Sequence, residues 1–216
     1  GFLLEPLPYH EQDRLVILAM RRPGEGADDF VAPSMADFRD FEAAATGLSG
    51  AMAYTLEPGN LTGLDMPEQI QVATGTPNLF DVLGVQPALG RGFRPEEGAE
   101  GVGSVLVLEH DFWERRFLAD PEVLGRTLTL DGRAYTVVGV MAEEFDMIPA
   151  DVQAMRPSDF DARRDDRSSR EYIAFGRLAA GASAATVQRQ LEPLVERLAA
   201  EHPETHRGLV ARVQTA

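Results

Sequence analysis

Two histidines near the carboxyl end have the spacing of a helical metal-binding pair. His202 and His206 are four residues apart, so an uninterrupted helix would align their imidazoles. Pro203 lies between them, however, and a proline breaks the helix that such a pair needs. The sequence therefore favours an exposed helix end over a metal site. His10 and His110 are isolated and are expected to be exposed.

Adjacent carboxylates could act as a general acid and base, and the chain contains the pairs Glu96-Glu97, Glu143-Glu144 and Asp165-Asp166. Neighbouring residues point in different directions, and each pair lies in a polar segment that gives no sign of the burial that shifts a pKa. Solvated charges are the prediction. A hydrolase with buried carboxylates is kept as an alternative, and it requires two of them within about 5–10 Å in a cleft.

Other catalytic and binding patterns are incomplete. Ser49 is flanked by glycines, but not at the spacing of a nucleophile elbow. The glycines at 98, 101 and 103 precede a strand, whereas a dinucleotide-binding loop follows one and opens a helix. Trp113 and Phe117 could form a sugar platform, although their i, i+4 spacing is more typical of helix core positions. We expect no catalytic residue, metal or cofactor.

Composition excludes several classes of chemistry. All 20 basic residues are arginine, which rules out a Walker A lysine, a Schiff base and a serine–lysine hydrolase. The chain has no cysteine, so disulfides, thiolate zinc sites and cysteine nucleophiles are absent. A formal net charge of −15 over 216 residues repels phosphate backbones and makes nucleic acid an unsuitable partner.

The elements that would position these residues repeat at the two ends of the chain. Residues 14–21 predict a buried central strand, because apolar side chains fall on both faces. Ser34 predicts the start of a helix whose apolar stripe is Phe38, Phe41, Ala45 and Leu48, and strands are expected at 51–56 and 69–74. Near the carboxyl end, 171–177, 183–200 and 209–213 predict strand, helix and strand.

The middle of the chain predicts a different order of elements from the two ends. It predicts helices at 78–83 and 111–118, a strand at 104–108, and a hairpin at 127–140 whose Asp131-Gly132 turn is of type I′. Residues 155–170 carry many charges and predict an exposed loop. The expected fold is α+β: two β-α-β units with an inserted mixed α/β lobe. We expect a discontinuous domain of 1–75 and 151–216 and a lobe of 76–150.

The longest uninterrupted apolar run, 15–20, is much shorter than the roughly 20 residues of a membrane span. The chain begins at Gly1 without an initiator methionine or a basic leader. We therefore expect a processed chain or a segment of a longer one.

A motif-dense stretch at 76–141 carries a family resemblance. With the segments around Ser34–Phe41 and Arg177-Leu178, in the same order along the chain, it is similar to the extracytoplasmic domain of MacB/FtsX-type ABC transporter permeases. Within the stretch, the matching positions that we single out as structural motif residues are Asn78, Phe80, Gly84, Pro87, Gly90, Arg91, Trp113, Gly132, Tyr135 and Gly139.

The resemblance implies a non-catalytic, porter-like domain with an inserted lobe, on the periplasmic or extracytoplasmic side of the bacterial cytoplasmic membrane. It implies flanking transmembrane helices in the same full-length protein, a dimer in that protein, and a periplasmic adaptor protein as a partner. The implied role is transmission of conformational change and contact with substrate or partner during export. A free-standing periplasmic module that binds a small ligand is the alternative, and it would need a mostly apolar pocket.

Overall fold

The computed structural model describes residues 11–24, 30–99, 104–145, 147 and 151–216. The helices are α1 (Met35–Ala44), α2 (Leu79–Leu83), α3 (His110–Phe117), α4 (Ala184–Glu201) and α5 (Pro203–His206). The strands are β1 (Leu15–Arg21), β2 (Leu48–Thr62), β3 (Glu68–Gly75), β4 (Leu89–Gly90), β5 (Val105–Leu108), β6 (Thr127–Leu130), β7 (Arg133–Val140), β8 (Ala154–Pro157), β9 (Ile173–Leu178) and β10 (Val210–Thr215).

The chain divides into two compact units. The terminal unit contains Glu11–Ala53 and Phe160–Ala216, and the central unit contains Tyr54–Asp159. Strand β2 supplies residues 48–53 to the first and 54–62 to the second. The units therefore divide at other positions than the 76 and 150 expected from the sequence.

The terminal unit holds the two β-α-β arrangements expected from the sequence, β1-α1-β2 and β9-α4-β10. Its strands lie in the order β10-β1-β9-β2, with β1 antiparallel to both of its neighbours. Strand β1 is central and almost fully buried, as its two apolar faces predict. The apolar stripe of α4 (Val187, Leu191, Leu194 and Leu198) packs with Phe38 and Phe41 of α1 in one core cluster.

The first helix is shorter than its apolar spacing predicts. It ends at Ala44, and Ala45 leaves the helical conformation with φ −87° and ψ 73°. The carbonyl oxygen of Gly47 accepts a hydrogen bond from Ala179 in the chain beyond β9, and Leu48 begins β2. Pairing with the second β-α-β arrangement thus overrides the helical stripe at Leu48.

The central unit closes into a ring of six strands. Residue pairings run from β2 to β3, β8, β5, β7 and β6, and β6 pairs again with β2. All six strands contribute to one buried apolar cluster, which therefore fills the barrel. The predicted hairpin is confirmed as β6 and β7, with positive φ at Asp131 (50°) and Gly132 (77°).

Candidate functional site

The first predicted motif residues build the corner around α2. Asn78 precedes α2 and its Oδ1 accepts a hydrogen bond from Thr76 Oγ1 at 2.7 Å. Phe80 is buried and its ring centroid lies 4.8 Å from that of Phe93. Gly84 ends α2 in the left-handed conformation, with φ 70°. These three residues therefore stabilise the turn into α2, its packing and its end.

Gly90 and Gly139 are brought together by the structure. They are register partners in the antiparallel β4–β7 pair. A Cβ on Gly139 would collide with the carbonyl oxygen of Arg91 and come within 3.2 Å of Pro87 Cβ. Gly139 thus meets Pro87, Gly90 and Arg91, about 50 residues earlier in the chain, because two backbones approach closely.

Arg91 forms a bidentate ion pair with Glu97, whose side chain is 7% exposed. Its two terminal nitrogens donate to the two carboxylate oxygens at 2.9 and 2.7 Å. Burial opposes the charge of Glu97, but hydrogen bonds from Arg91 and from the Arg94 backbone N–H outweigh it and lower the pKa. The expectation that the carboxylate pair 96–97 is solvated is therefore wrong for Glu97.

The remaining motif aromatics lie in or beside the barrel core. Phe117 is buried, and Trp113 packs against the same cluster while its Nε1–H donates to the Asp120 carbonyl oxygen at 2.9 Å. This agrees with the core interpretation of the pair. Tyr135 on β7 is buried, and its hydroxyl accepts a hydrogen bond from Arg156 Nη1 at 3.1 Å.

Arg156 organises a polar cluster at one end of the barrel. It lies beside Thr74 in the β3–β8 register and donates to Thr74 Oγ1 at 2.9 Å and to Glu57 Oε1 at 2.6 Å. Thr74 also donates to Glu57 at 2.6 Å. We call Glu57, Thr74, Tyr135 and Arg156 the barrel-end cluster. It lies away from α3, which follows the opposite end of β5.

Contacts within the barrel-end cluster stabilise the charged forms of Glu57 and Arg156. Burial disfavours the carboxylate of Glu57, yet hydrogen bonds from Thr74 and Arg156 lower its pKa. Burial likewise disfavours the guanidinium, and the bond to Glu57 leads the contacts that raise the pKa of Arg156. The pair therefore stays ionised across the ordinary pH range and offers no proton for acid–base chemistry.

A second polar cluster lies in the terminal unit, at the amino end of α1. The predicted Ser34 cap is confirmed: its Oγ accepts from the Asp37 backbone N–H at 3.1 Å, while an Asp37 oxygen accepts from the Ser34 N–H at 3.0 Å. The Asp37 side chain is 0% exposed and is bound by Arg167 at 2.8 Å and Arg170 at 3.0 Å. We call Asp37, Asp40, Arg167, Arg170 and His206 the Asp37 cluster.

The structure contradicts the expectation that His206 lies at an exposed helix end. Its side chain is 0% exposed, and Nε2 lies 2.9 Å from Asp37 Oδ1 and 3.1 Å from Arg170 Nη2. Nδ1 lies 2.8 Å from the Thr205 hydroxyl. Pro203 starts the short helix α5, which turns His206 inward. His10 lies outside the described residues.

Asp37 and His206 of the Asp37 cluster have shifted pKa values. Burial disfavours the Asp37 carboxylate, but the hydrogen bond from the Ser34 N–H and the positive charge of Arg170 lower its pKa. Burial, assisted by Arg170 and opposed by Asp37, lowers the pKa of His206 from 6.5. The structure thus favours an ionised Asp37 beside a neutral imidazole.

The segment 155–170 differs from the predicted exposed loop. Residues 155–157 belong to β8, and Arg156 lies in the barrel-end cluster. Arg167 and Arg170 are tied to Asp37, and Arg167 also donates to Asp40 at 2.7 Å. The sequence missed both clusters because their arginines lie in a charge-rich stretch whose carboxylate partners are at least 99 residues away.

One group of side chains among the described residues could converge on a cation. Ligand atoms of His110, Asp111 and Glu114 lie within 4.8 Å of one another. Asp111 and Glu114 are exposed, and the three residues lie at the amino end of α3, where the helix dipole repels cations. The arrangement does not make a metal centre.

The described clefts are rich in charged side chains. A cleft of about 480 Å³ in the terminal unit is lined by Arg39, Asp40, Arg164, Asp165 and Arg167, together with Ala36 and His202. Such a lining does not match the mostly apolar pocket that the small-ligand alternative requires. In the described part of the chain, no helix has the length and apolar character to cross a membrane.

Known proteins with a similar sequence pattern or fold share this architecture. The sequence model of the MacB-like periplasmic core domain matches residues 4–194. The fold is similar to a domain of a protein described as a permease from Porphyromonas gingivalis, with a TM-score of 0.67 at 18% identity over 96% of this chain and 93% of that chain. No curated protein sequence matches.

Two further solved structures are similar. The periplasmic region of MacB from Actinobacillus actinomycetemcomitans has a TM-score of 0.67 at 15% identity, over 94% of this chain and 88% of that chain. The extracellular domain of the noncanonic ABC-type transporter YknZ from Gram-positive bacteria has a TM-score of 0.64 at 15% identity, over 92% and 99%. At these identities the likeness shows the fold, and it confirms the α+β, porter-like class expected from the sequence.

Proposed function

Because the chain belongs to the family of MacB-like periplasmic core domains, we propose that it is a non-catalytic module that transmits conformational change in an ABC-type permease. The family consists of periplasmic domains of such permeases, so the chain lies on the outer side of the cytoplasmic membrane. In the full-length protein it connects to flanking membrane helices and works as a dimer. Its contacts outside the membrane are with exported substrate or with a periplasmic adaptor.

The contacts that the motif residues make within the central unit support this proposal. Gly90 and Gly139 allow two backbones to pack together, Arg91 holds the following turn through Glu97, and Tyr135 accepts a hydrogen bond from Arg156 at the end of the barrel. Each feature stiffens the central unit. A stiff unit can pass on a displacement that a soft one would absorb.

Three carboxylates that are held by arginine support the non-catalytic part of the proposal. Asp37, Glu57 and Glu97 have lowered pKa values and are each bound by arginine, so none can donate a proton near neutral pH. The pKa of Glu42 is raised by partial burial, against the effect of Arg39, but this residue is exposed on α1. The pairing expected of a glycosidase-type hydrolase is thus not favoured.

The test uses the complete permease with its nucleotide-hydrolysing component. The chain has no cysteine, so Leu118→Cys in the central unit and Arg197→Cys in the terminal unit give it single labelling sites, in a permease whose other segments are kept free of cysteine. These side chains are 88% and 62% exposed. Double electron–electron resonance then measures the distance between equivalent labels in the two copies, with and without bound nucleotide.

We expect an inter-copy distance at both positions, and a shift of that distance on nucleotide binding at one position or both. Nucleotide hydrolysis by each labelled protein confirms that the label is harmless. Distances that stay the same in every nucleotide state would contradict transmission. The absence of any inter-copy signal in active protein would contradict the dimer.

A further inference from the structure

The Asp37 cluster joins three segments of the terminal unit. Asp37 and Asp40 belong to α1, Arg167 and Arg170 belong to the segment before β9, and His206 ends α5. Arg170 bridges two of them, because Nη1 donates to Asp37 at 3.0 Å while Nη2 donates to the Thr205 carbonyl oxygen at 3.2 Å. The cluster therefore ties both α5 and the 161–172 segment to the amino end of α1.

The charges of the cluster balance only when the histidine is neutral. Two carboxylates face two guanidinium groups, and the imidazole adds nothing to the sum. A proton on His206 adds a positive charge at a side chain with 0% exposure, 3.1 Å from an Arg170 nitrogen. Burying an unbalanced charge is costly, so the packed arrangement resists protonation.

The other groups around the cluster do not remove this imbalance. The ring of His202 lies 6.1 Å from that of His206 and would add positive charge if protonated. Arg22 also acts on Arg170 as a positive charge. Thr205 contacts Nδ1 but is uncharged.

We propose that the Asp37 cluster is a proton-operated latch: protonation of His206 releases α5 and the 161–172 segment from the amino end of α1. Above pH 6.5 the imidazole is neutral whether the latch is open or closed, and the latch holds. As the pH falls, the exposed imidazole of the open form takes up a proton more readily than the buried one, which shifts the equilibrium toward opening. A module on the outer side of the membrane would thereby loosen in acid.

Hydrogen exchange followed by mass spectrometry tests the latch. Exchange is measured from pH 7.5 to 5 and corrected for the intrinsic pH dependence, so that protection reports the opening equilibrium. Because one proton is linked to opening, peptides covering 161–172 and 203–206 should lose protection by up to about tenfold per pH unit below pH 6.5. Peptides from β1 should keep theirs.

His202 provides a matched control, since it is a neighbouring histidine whose side chain is 36% exposed. His202→Gln should keep the pH dependence of the wild-type chain, whereas His206→Gln should lose it between pH 6.5 and 5. Asp37 titrates below 3.8, outside this range. An unchanged slope in folded His206→Gln would overturn the latch.

A measurement on the wild-type chain covers the case in which His206→Gln fails to fold. Imidazole signals in nuclear magnetic resonance give the titration of each histidine directly. His206 should titrate below pH 6.5, and the loss of protection should follow the same proton. Titration of His206 at or above 6.5, or protection that is constant down to global unfolding, would overturn the proposal.

Discussion

Gly90 and Gly139 lie opposite each other in the β4–β7 pair, and neither has room for a side chain. Gly90 has φ 75°, and a Cβ there would collide with the carbonyl oxygen of Val138 and approach Leu124 to 2.9 Å. Gly139 is restricted by the carbonyl of Arg91. The glycines of the motif therefore allow a backbone contact that fixes the short strand β4 against the barrel.

Gly90→Ala should destabilise the central unit by about 2–5 kcal/mol. About 1–2 kcal/mol comes from the left-handed conformation and the remainder from the backbone collision. Urea unfolding followed by circular dichroism gives the change in free energy.

Gly125→Ala is the matched control for that change. Gly125 has a similar φ of 82° in the same unit, but nothing lies within 4 Å of the added Cβ. It should cost only the conformational part, about 1–2 kcal/mol. Equal losses in the two variants would show that the close approach at Gly90 carries no energetic weight.

Local patterns predicted the elements whose partners are close in sequence. The Ser34 cap and the Asp131-Gly132 turn depend on a few neighbouring residues. Strand β1 could be predicted for a different reason: its own apolar pattern shows its burial, although its partners β9 and β10 are distant in sequence. Strand β2 was expected at 51–56 and runs from Leu48 to Thr62. Its extension passes through Pro58 and Gly59, which normally end a strand, and pairing with β3 and then with β6 sustains it.

Glu97→Gln should destabilise the central unit by about 1–3 kcal/mol, because it removes the charge that Arg91 binds at a buried site. Since the folded-state pKa of Glu97 is lowered, its contribution is present above pH 4.5 and is lost as the pH falls through the folded value. Unfolding free energies at pH 7 and pH 3 measure this.

The difference between Glu97→Gln and the wild-type chain should therefore shrink at pH 3. Glu96→Gln controls for the neighbouring carboxylate, which is exposed, and should change stability by less than about 0.5 kcal/mol. A difference for Glu97→Gln that is as large at pH 3 as at pH 7 would argue against the ion pair as the cause.

The barrel-end cluster predicts a ranking of substitutions. Arg156→Met removes bonds to Glu57, Thr74 and Tyr135 at once and should cost about 1–3 kcal/mol, because three hydrogen bonds are lost while the half-exposed Glu57 can still be solvated. Tyr135→Phe removes one of these bonds and should cost about 0.5–1.5 kcal/mol.

A double-mutant cycle between Arg156→Met and Tyr135→Phe tests whether the cluster acts as a unit. Because both changes remove the same hydrogen bond, the double variant should lose less than the sum of the single losses, by about 0.5 kcal/mol or more. Strict additivity would mean that the 3.1 Å contact between Arg156 and Tyr135 contributes nothing.

The two polar clusters could not be predicted from the sequence for a physical reason. A charged residue in a polar segment is expected to be exposed, and the sequence does not show that a distant partner of opposite charge will bury it. Arg167 reaches Asp37 across 130 positions, and Arg156 reaches Glu57 across 99. His206 had a visible signal in its i, i+4 spacing from His202, but that spacing suggests a metal rather than a buried carboxylate.

Leu118 is a position where the chain is not at its stability optimum. It caps α3 with φ 54° and is 88% exposed, so it accepts the left-handed conformation without gaining burial. Leu118→Gly should stabilise the central unit by about 0.5–1.5 kcal/mol, since glycine adopts this conformation freely and little apolar contact is lost. Urea unfolding measures the gain, and Leu118→Ala, which keeps the strain, should stay within about 0.5 kcal/mol of the wild-type chain. If Leu118→Gly is no more stable than Leu118→Ala, the left-handed conformation at Leu118 carries no strain energy.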